Sequence, residues 1–131
     1  MKRKKLRSLR ALKHELDACF SRYIRQRDAI EGIAECVTCG RKSRWQDGHA
    51  GHFIKRQYLA TRYDPRNCHF QDAYCNTYRG GALIEYTLYM QKRYGQATVD
   101  ELMALKHRTV KHSRADLEAL IERYSIPRGG L

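Results

Sequence analysis

Apolar residues recur at three- and four-residue steps at the start of the chain, where Leu6, Leu9, Leu12, Leu16, Phe20, Tyr23 and Ile24 form one stripe. That spacing predicts a single amphipathic helix over residues 4–29, with Gly32 as its stop. Lys4, Lys5, Arg7, Arg10, Lys13, Arg22 and Arg25 fill the positions between, so the rest of that helix is basic. The pattern then breaks. Residues 35–80 are punctuated by glycine and rich in Cys, His and Asn, with no helical period before about residue 71. Segments near 43–46 and 50–55 read as two strands of one hairpin, with Asp47-Gly48 as the turn. Tyr63 to Asn67 reads as a loop, because Pro65 disfavours helix in the residue before it. A short helix is expected from about Gln71. Helical periodicity returns over Ala82 to Tyr94, then after Thr98-x-x-Glu101 and again after Ser113-x-x-Asp116, both patterns of the capping-box kind. Pro127 and the glycines after it end the last helix.

Charge sharpens this outline. The 131 residues carry 26 Lys+Arg against 14 Asp+Glu, a net charge of +12 with a pI near 9.8. Residues 1–30 hold ten basic and three acidic side chains, residues 31–95 ten and six, and residues 96–131 six and five. Such a field recruits polyanions by releasing their counterions, so nucleic acid is the leading partner and an anionic membrane surface the second. An apolar content of 42% is too high for a disordered polybasic tail, and no run approaches the length of a membrane span. The basic start lacks the apolar core of a secretion signal, so a cytoplasmic location is expected.

Five cysteines (Cys19, Cys36, Cys39, Cys68 and Cys75) make an odd number, which argues against a disulfide framework. Cys36-Val37-Thr38-Cys39-Gly40 has the spacing of a zinc knuckle, in which two thiolates reach one tetrahedral ion from a tight turn. Cys75 is the clearest third ligand, and the fourth stays open among Asp72, His69 and Cys68. Asp72 lies three residues before Cys75, so on a helix the two share a face. The zinc would be structural, because so small a hairpin core buries little apolar area.

A second set lies in order along the same stretch: His52 on a strand, Asn67 fifteen residues later, then His69, Cys75 and Asn76 at the start of a helix. This is the order of a ββα-metal nuclease motif, and its chemistry suits phosphodiester hydrolysis. An imidazole titrating near neutrality can deprotonate water. A divalent ion neutralises the scissile phosphate and the leaving oxygen. Asn67 is expected to hold the His52 ring by a hydrogen bond, and Asn76 to offer an oxygen to the ion. Arg41, Lys42, Arg44, Lys55, Arg56, Arg62, Arg66 and Arg79 are candidates for a phosphate track, interleaved with Trp45, Tyr58, Tyr63 and Tyr78.

The segment from Phe20 to Asp28, together with Cys36-x-x-Cys39-Gly40, Ala50-Gly51-His52-Phe53, Arg62-Tyr63-Asp64, Asn67-Cys68-His69-Phe70-Gln71, Cys75-Asn76, Gly81 and Tyr86, resembles the bacteriophage NinG/Rap family of recombination endonucleases. The resemblance covers roughly residues 20–95. It implies an HNH-like (His-Me finger) fold and a Mg2+- or Mn2+-dependent endonuclease acting on branched intermediates such as Holliday junctions and D-loops. It places the general base at His52, with Asn67, His69 and Asn76 as the other catalytic positions. The chain departs from the pattern at Asp72, where a cysteine is usual, at Gly51, where related nucleases carry an acidic ligand, and at Ala82, where asparagine is common. His49, Asp47 or His69 would have to supply the ligand missing at Gly51.

The expected architecture is therefore α+β in one nuclease domain over residues 1–131: a basic helical arm at 1–32, a zinc-stapled ββα-metal core at 35–80 and a helical extension at 82–126. Lys4, Lys5, Arg7, Arg10, Lys55, Arg56, Arg62, Arg66 and Arg79 are the expected DNA contacts. Expected partners are branched DNA, phage or host recombination proteins, and a second copy docked through the apolar stripe of the first helix; no membrane is expected. Two other readings remain: a zinc-stabilised DNA-binding module without catalysis, and a general HNH endonuclease acting on ordinary duplex.

Overall fold

The computed structural model describes residues 6–125, so Lys4 and Lys5 lie outside the described residues. The first helix, α1 (Leu9–Arg27), opens on Ser8, whose Oγ accepts a hydrogen bond from the Ala11 N–H at 3.0 Å. Its apolar stripe does what the spacing predicts: Leu12, Leu16, Phe20 and Ile24 are each no more than 2% exposed. The stop lies earlier than expected, at Asp28. Gly32 serves a different turn. With Glu31 at φ 50° and Gly32 at φ 83°, the pair forms the two-residue loop between β1 (Ala29–Ile30) and β2 (Ile33–Glu35), the geometry whose twist matches antiparallel strands.

The expected hairpin between 43–46 and 50–55 does not form. Strand β3 (Lys42–Arg44) pairs with β2 in a three-stranded sheet, whereas β4 (His49–His52) pairs with β5 (Cys68–Gln71) in a separate two-stranded one. A 3-10 turn at Trp45–Asp47 separates the two segments and carries the chain from one sheet to the other. Strand β3 returns to β2 across the knuckle turn at 36–41, whereas β4 finds its partner across a separation that local turn signals do not encode. One-turn elements also escaped the periodicity: α2 (Leu59–Arg62) lies where the sequence shows no helical period, and a 3-10 turn at Pro65–Asn67 lies in the stretch read as loop.

After β5 come α3 (Ala73–Thr77), α4 (Leu83–Tyr94), α5 (Gln96–Leu105) and α6 (Arg114–Tyr124). The reciprocal capping box of Ser113 and Asp116 is present at α6. Helix α5 instead starts ahead of Thr98, capped at Gly95. The mixed α+β architecture has two main apolar clusters. Helix α1 packs on α6 and on the β4–β5 pair through Leu16, Phe20, Cys68, Leu117 and Tyr124. Helices α4 and α5 pack on the segment after β4 through Phe53, Ile54, Tyr86, Met90 and Leu102. From Leu12 to Ile24 the α1 stripe is thus covered by its own chain, while Leu6 and Leu9 at its start stay exposed.

The end of α1 also closes the outer edge of β5. Asp28 Oδ2 accepts from the Phe70 N–H at 2.8 Å, Arg27 Nη2 donates to the Cys68 carbonyl at 2.8 Å, and the Val37 N–H donates to the Phe70 carbonyl at 2.9 Å. Among the described residues, no helix is long and apolar enough to cross a membrane.

A candidate histidine cleft and three-cysteine metal centre

The knuckle turn and α3 meet at Cys36, Cys39 and Cys75, whose sulfurs all lie within 4.8 Å of one another. Tetrahedral zinc with Zn–S near 2.3 Å needs sulfurs about 3.8 Å apart, a separation compatible with that bound. The chemistry of the donors agrees. Burial disfavours a thiolate at Cys36, but the Thr38 hydroxyl at 3.3 Å and the backbone N–H groups of Asp72, Cys39 and Thr38 outweigh it and lower its pKa. Burial and the neighbouring sulfurs of Cys36 and Cys75 push Cys39 up to about 11, the mutual repulsion that a bound cation relieves. These three cysteines could hold a metal ion such as zinc.

None of the three candidates for a fourth ligand stands in this group. The Asp72 carboxylate caps α3 by accepting from the Tyr74 N–H at 2.8 Å, with Arg41 at 3.9 Å. Cys68 is fully buried beneath α1. His69 is 4% exposed and has both ring nitrogens engaged. The Tyr86 hydroxyl donates to the Gly51 carbonyl at 2.6 Å, so it must accept from His69 Nδ1–H at 3.0 Å, and His69 Nε2 then accepts from Tyr94 at 2.7 Å. Burial lowers this imidazole to about 4. His69 is an internal link between β5 and α4, not a group facing the cleft.

His52 sits at the end of β4, and its Nε2 lies 2.9 Å from the Arg62 carbonyl. A carbonyl can only accept, so Nε2 carries the hydrogen and Nδ1 keeps its lone pair. Burial depresses the ring to about 4, reinforced by the charges of Arg56 and Arg62 and opposed by the Arg62 carbonyl and Asp17. The imidazole is therefore neutral at pH 7, with one nitrogen free to take a proton. His52 lines an open cleft of about 530 Å³ that it shares with His49, Asn76, Arg25, Arg56 and Asp17. At the cleft wall the Asn76 amide N–H donates to His49 Nδ1 at 3.0 Å. Asp47, the other candidate beside the cleft, is tied to Arg44 at 3.1 Å.

Asn67 does not hold the His52 ring. Its side chain is fully buried, accepting from the Ile54 N–H at 2.8 Å and donating to the carbonyls of Ile54 at 3.0 Å and Thr61 at 3.2 Å. It staples the two ends of the 54–61 segment, and so places the Arg62 carbonyl that does hold the ring. Asp17 on α1 fixes the same segment, a role the sequence did not reveal. It accepts from Arg62 Nη2 at 2.6 Å, Tyr63 Oη at 2.7 Å and Arg56 Nη2 at 3.2 Å. Burial opposes its ionisation, yet those bonds and charges hold the carboxyl below its usual range.

The expected phosphate contacts are mostly occupied within the chain. Arg62 and Arg56 serve Asp17, Arg66 bridges Asp64 and Glu101, Arg79 pairs with Glu85, and Arg7 pairs with Glu15. Lys55 Nζ donates to the Gly80 carbonyl at 2.9 Å and remains exposed, as does Arg10. Arg25 was legible only as part of a basic helix face. It lines the cleft with its Nε on Ser21 Oγ at 3.1 Å and its guanidinium 5.2 Å from the Trp45 ring, and it forms no carboxylate pair among the described residues.

Comparison with known proteins places the geometry in context. Residues 1–127 match the family model described as NinG, the bacteriophage lambda NinG protein. Proteins named "Protein ninG" are similar: that of Escherichia phage 933W is 34% identical over 98 residues, covering 71% of this chain and 46% of its own length. Those of Salmonella phage P22 and Escherichia phage lambda are 34% and 33% identical over 82 residues, covering 61% of this chain and 38% of theirs. The chain thus spans less than half the length of these relatives in each alignment. No solved structure matches.

Proposed function

The chain belongs to the NinG family of bacteriophage lambda, and on that premise we propose that it is a divalent-metal-dependent endodeoxyribonuclease of the ββα-metal (His-Me finger) type, cleaving branched recombination intermediates such as Holliday junctions and D-loops. One observation carries this reading: a neutral imidazole with a free Nδ1, oriented by a backbone carbonyl, shares a cleft with a His–Asn pair and with cationic groups. His52 Nδ1 takes the proton of the attacking water. Arg25, which lines the cleft without a carboxylate partner among the described residues, orients the phosphate by its non-bridging oxygens. Asn76, through its amide oxygen, is the residue that would hold the ion, with His49 Nδ1 orienting that amide by accepting its N–H; an oxygen donor suits Mg2+ or Mn2+, with the substrate phosphate supplying the anionic ligand. When bound, the ion neutralises charge on the phosphate and on the leaving oxygen. The carboxylate absent at Gly51 is a steric matter, since a Cβ there would lie 2.1 Å from Gln71 Oε1.

Symmetric cutting of a four-way junction requires two such sites, so we also propose a homodimer on the DNA, working among phage or host recombination proteins in the host cytoplasm. The test is nicking of a synthetic four-way junction, with Mg2+ or Mn2+, by the native chain and His52→Ala. The expected result is a loss of about 10²–10⁴ in rate with junction binding unchanged. Binding without cutting by either protein would identify a zinc-stabilised DNA-binding module, and equal cutting of linear duplex a general endonuclease.

A further inference from the structure

Tyr74 on α3 and Tyr78, the residue that caps its end, stand one turn apart and are 60% and 81% exposed, with ring centroids 5.6 Å apart and planes inclined by 31°. The same short helix delivers Asn76 to the cleft. Cations lie at both of its ends: Arg41 near Asp72 at the start, and Lys55, held on the Gly80 carbonyl, beyond the finish. Among the described residues Lys55 has no carboxylate partner, so its charge is available to a backbone phosphate. Aromatic rings set between cations form the arrangement on which unpaired bases stack while phosphates track the charges.

We infer that Tyr74 and Tyr78 form a stacking platform for an unpaired base of the substrate, and that this platform selects branched over continuous duplex DNA. The inference deepens the nuclease reading and rests on it. In a continuous duplex each base has both faces covered by its neighbours, so two exposed phenol rings have nothing to gain there. At a strand crossover or a D-loop margin a base face is open, and stacking beside the cleft would set a backbone phosphate near His52. The aliphatic residues Ile84 and Leu88 on α4 are also exposed, but they carry neither aromatic faces nor a link to the cleft.

The experiment measures affinity with no Mg2+ or Mn2+ added and no chelator present, so that binding is read apart from cutting while the cysteine centre stays loaded, using a four-way junction with 2-aminopurine at the crossover and a duplex of equal length. Native protein, Tyr74→Ala/Tyr78→Ala and Tyr74→Phe/Tyr78→Phe are compared, with thermal melting as the check on folding. The expected outcome is quenching of 2-aminopurine by the native protein and a loss of roughly tenfold or more in junction affinity for the alanine pair. Duplex affinity should stay within about twofold, and the phenylalanine pair should restore junction binding. Equal loss on duplex and junction, unchanged binding by the alanine pair, or a change in self-association by sedimentation in its place would overturn the platform. Adding Mn2+ separates the two readings. Junction binding with quenching but no cutting sinks the nuclease and leaves the platform standing, whereas cutting with undiminished junction preference by the alanine pair does the reverse.

Discussion

At Gly51 the backbone of β4 runs against the side chain of Gln71, so that a Cβ would meet Oε1 at 2.1 Å and Cβ at 2.9 Å. Gln71 cannot swing aside cheaply, because its Nε2 donates to Thr38 at 3.1 Å and to the Gly81 carbonyl at 2.9 Å. Gly51→Ala should therefore cost about 1–3 kcal/mol, measured as a lower urea midpoint. Asn67→Ala should cost at least about 2 kcal/mol, because it leaves buried backbone groups of Ile54 and Thr61 unpaired. It should also slow junction cutting through the displaced Arg62 carbonyl, with little change in binding. The imidazoles add a pH signature. His52 and His69 both lie near 4 in the fold, below the ordinary imidazole range that the unfolded chain adopts. The unfolded state therefore binds more protons between about pH 6.5 and 4, and stability must fall as pH drops through that window, by a few kcal/mol if each residue behaves as a buried neutral ring. A flat urea midpoint from pH 7 to about 4.5 would contradict this. His52 and Asn76 were legible as site residues because their types and order carry chemistry. The true duties of Asn67 and His69 were not, since whether an amide or imidazole faces a cleft or a backbone depends on contacts across 13 to 25 residues.

Among the helices, α3 is short and is the one tied directly to the cysteine centre. It spans Ala73–Thr77, and its Cys75 meets the sulfurs of the knuckle turn. Cys75→Ser, or a strong chelator, should release metal (read with a thiolate-displaced zinc indicator), lower the melting temperature and abolish cutting together, because Asn76 rides on that helix. Asp72→Ala tests the fourth position: a retained stoichiometry of one zinc per chain would leave the carboxylate to its capping role. The helices were well marked in the sequence wherever they ran for several turns, as at α1, α4 and α6. The strands were not. Their two to four residues are too few to display a period, and β4 and β5 pair across a separation that no turn residue announces.

Over the whole molecule, a net charge of +12 overstates what is free to meet DNA, since Arg56, Arg62, Arg66 and Arg79 are already bonded to Asp17, Asp64, Glu101 and Glu85. Affinity for junction DNA should thus fall with salt less steeply than the count of basic residues suggests. Arg25→Ala should reduce the slope of log K against log[salt] by about 0.9, whereas Arg62→Ala should mainly lower stability.

The tail of α1 bears on how copies of the chain can meet. With Asp28, Arg27 and Val37 bonded to the Phe70 amide and to the carbonyls of Cys68 and Phe70, the outer border of β5 offers little of its ladder to a neighbour. Growth of the sheet by strand addition along this border is hindered, so a pair assembling on a junction would have to join at another surface.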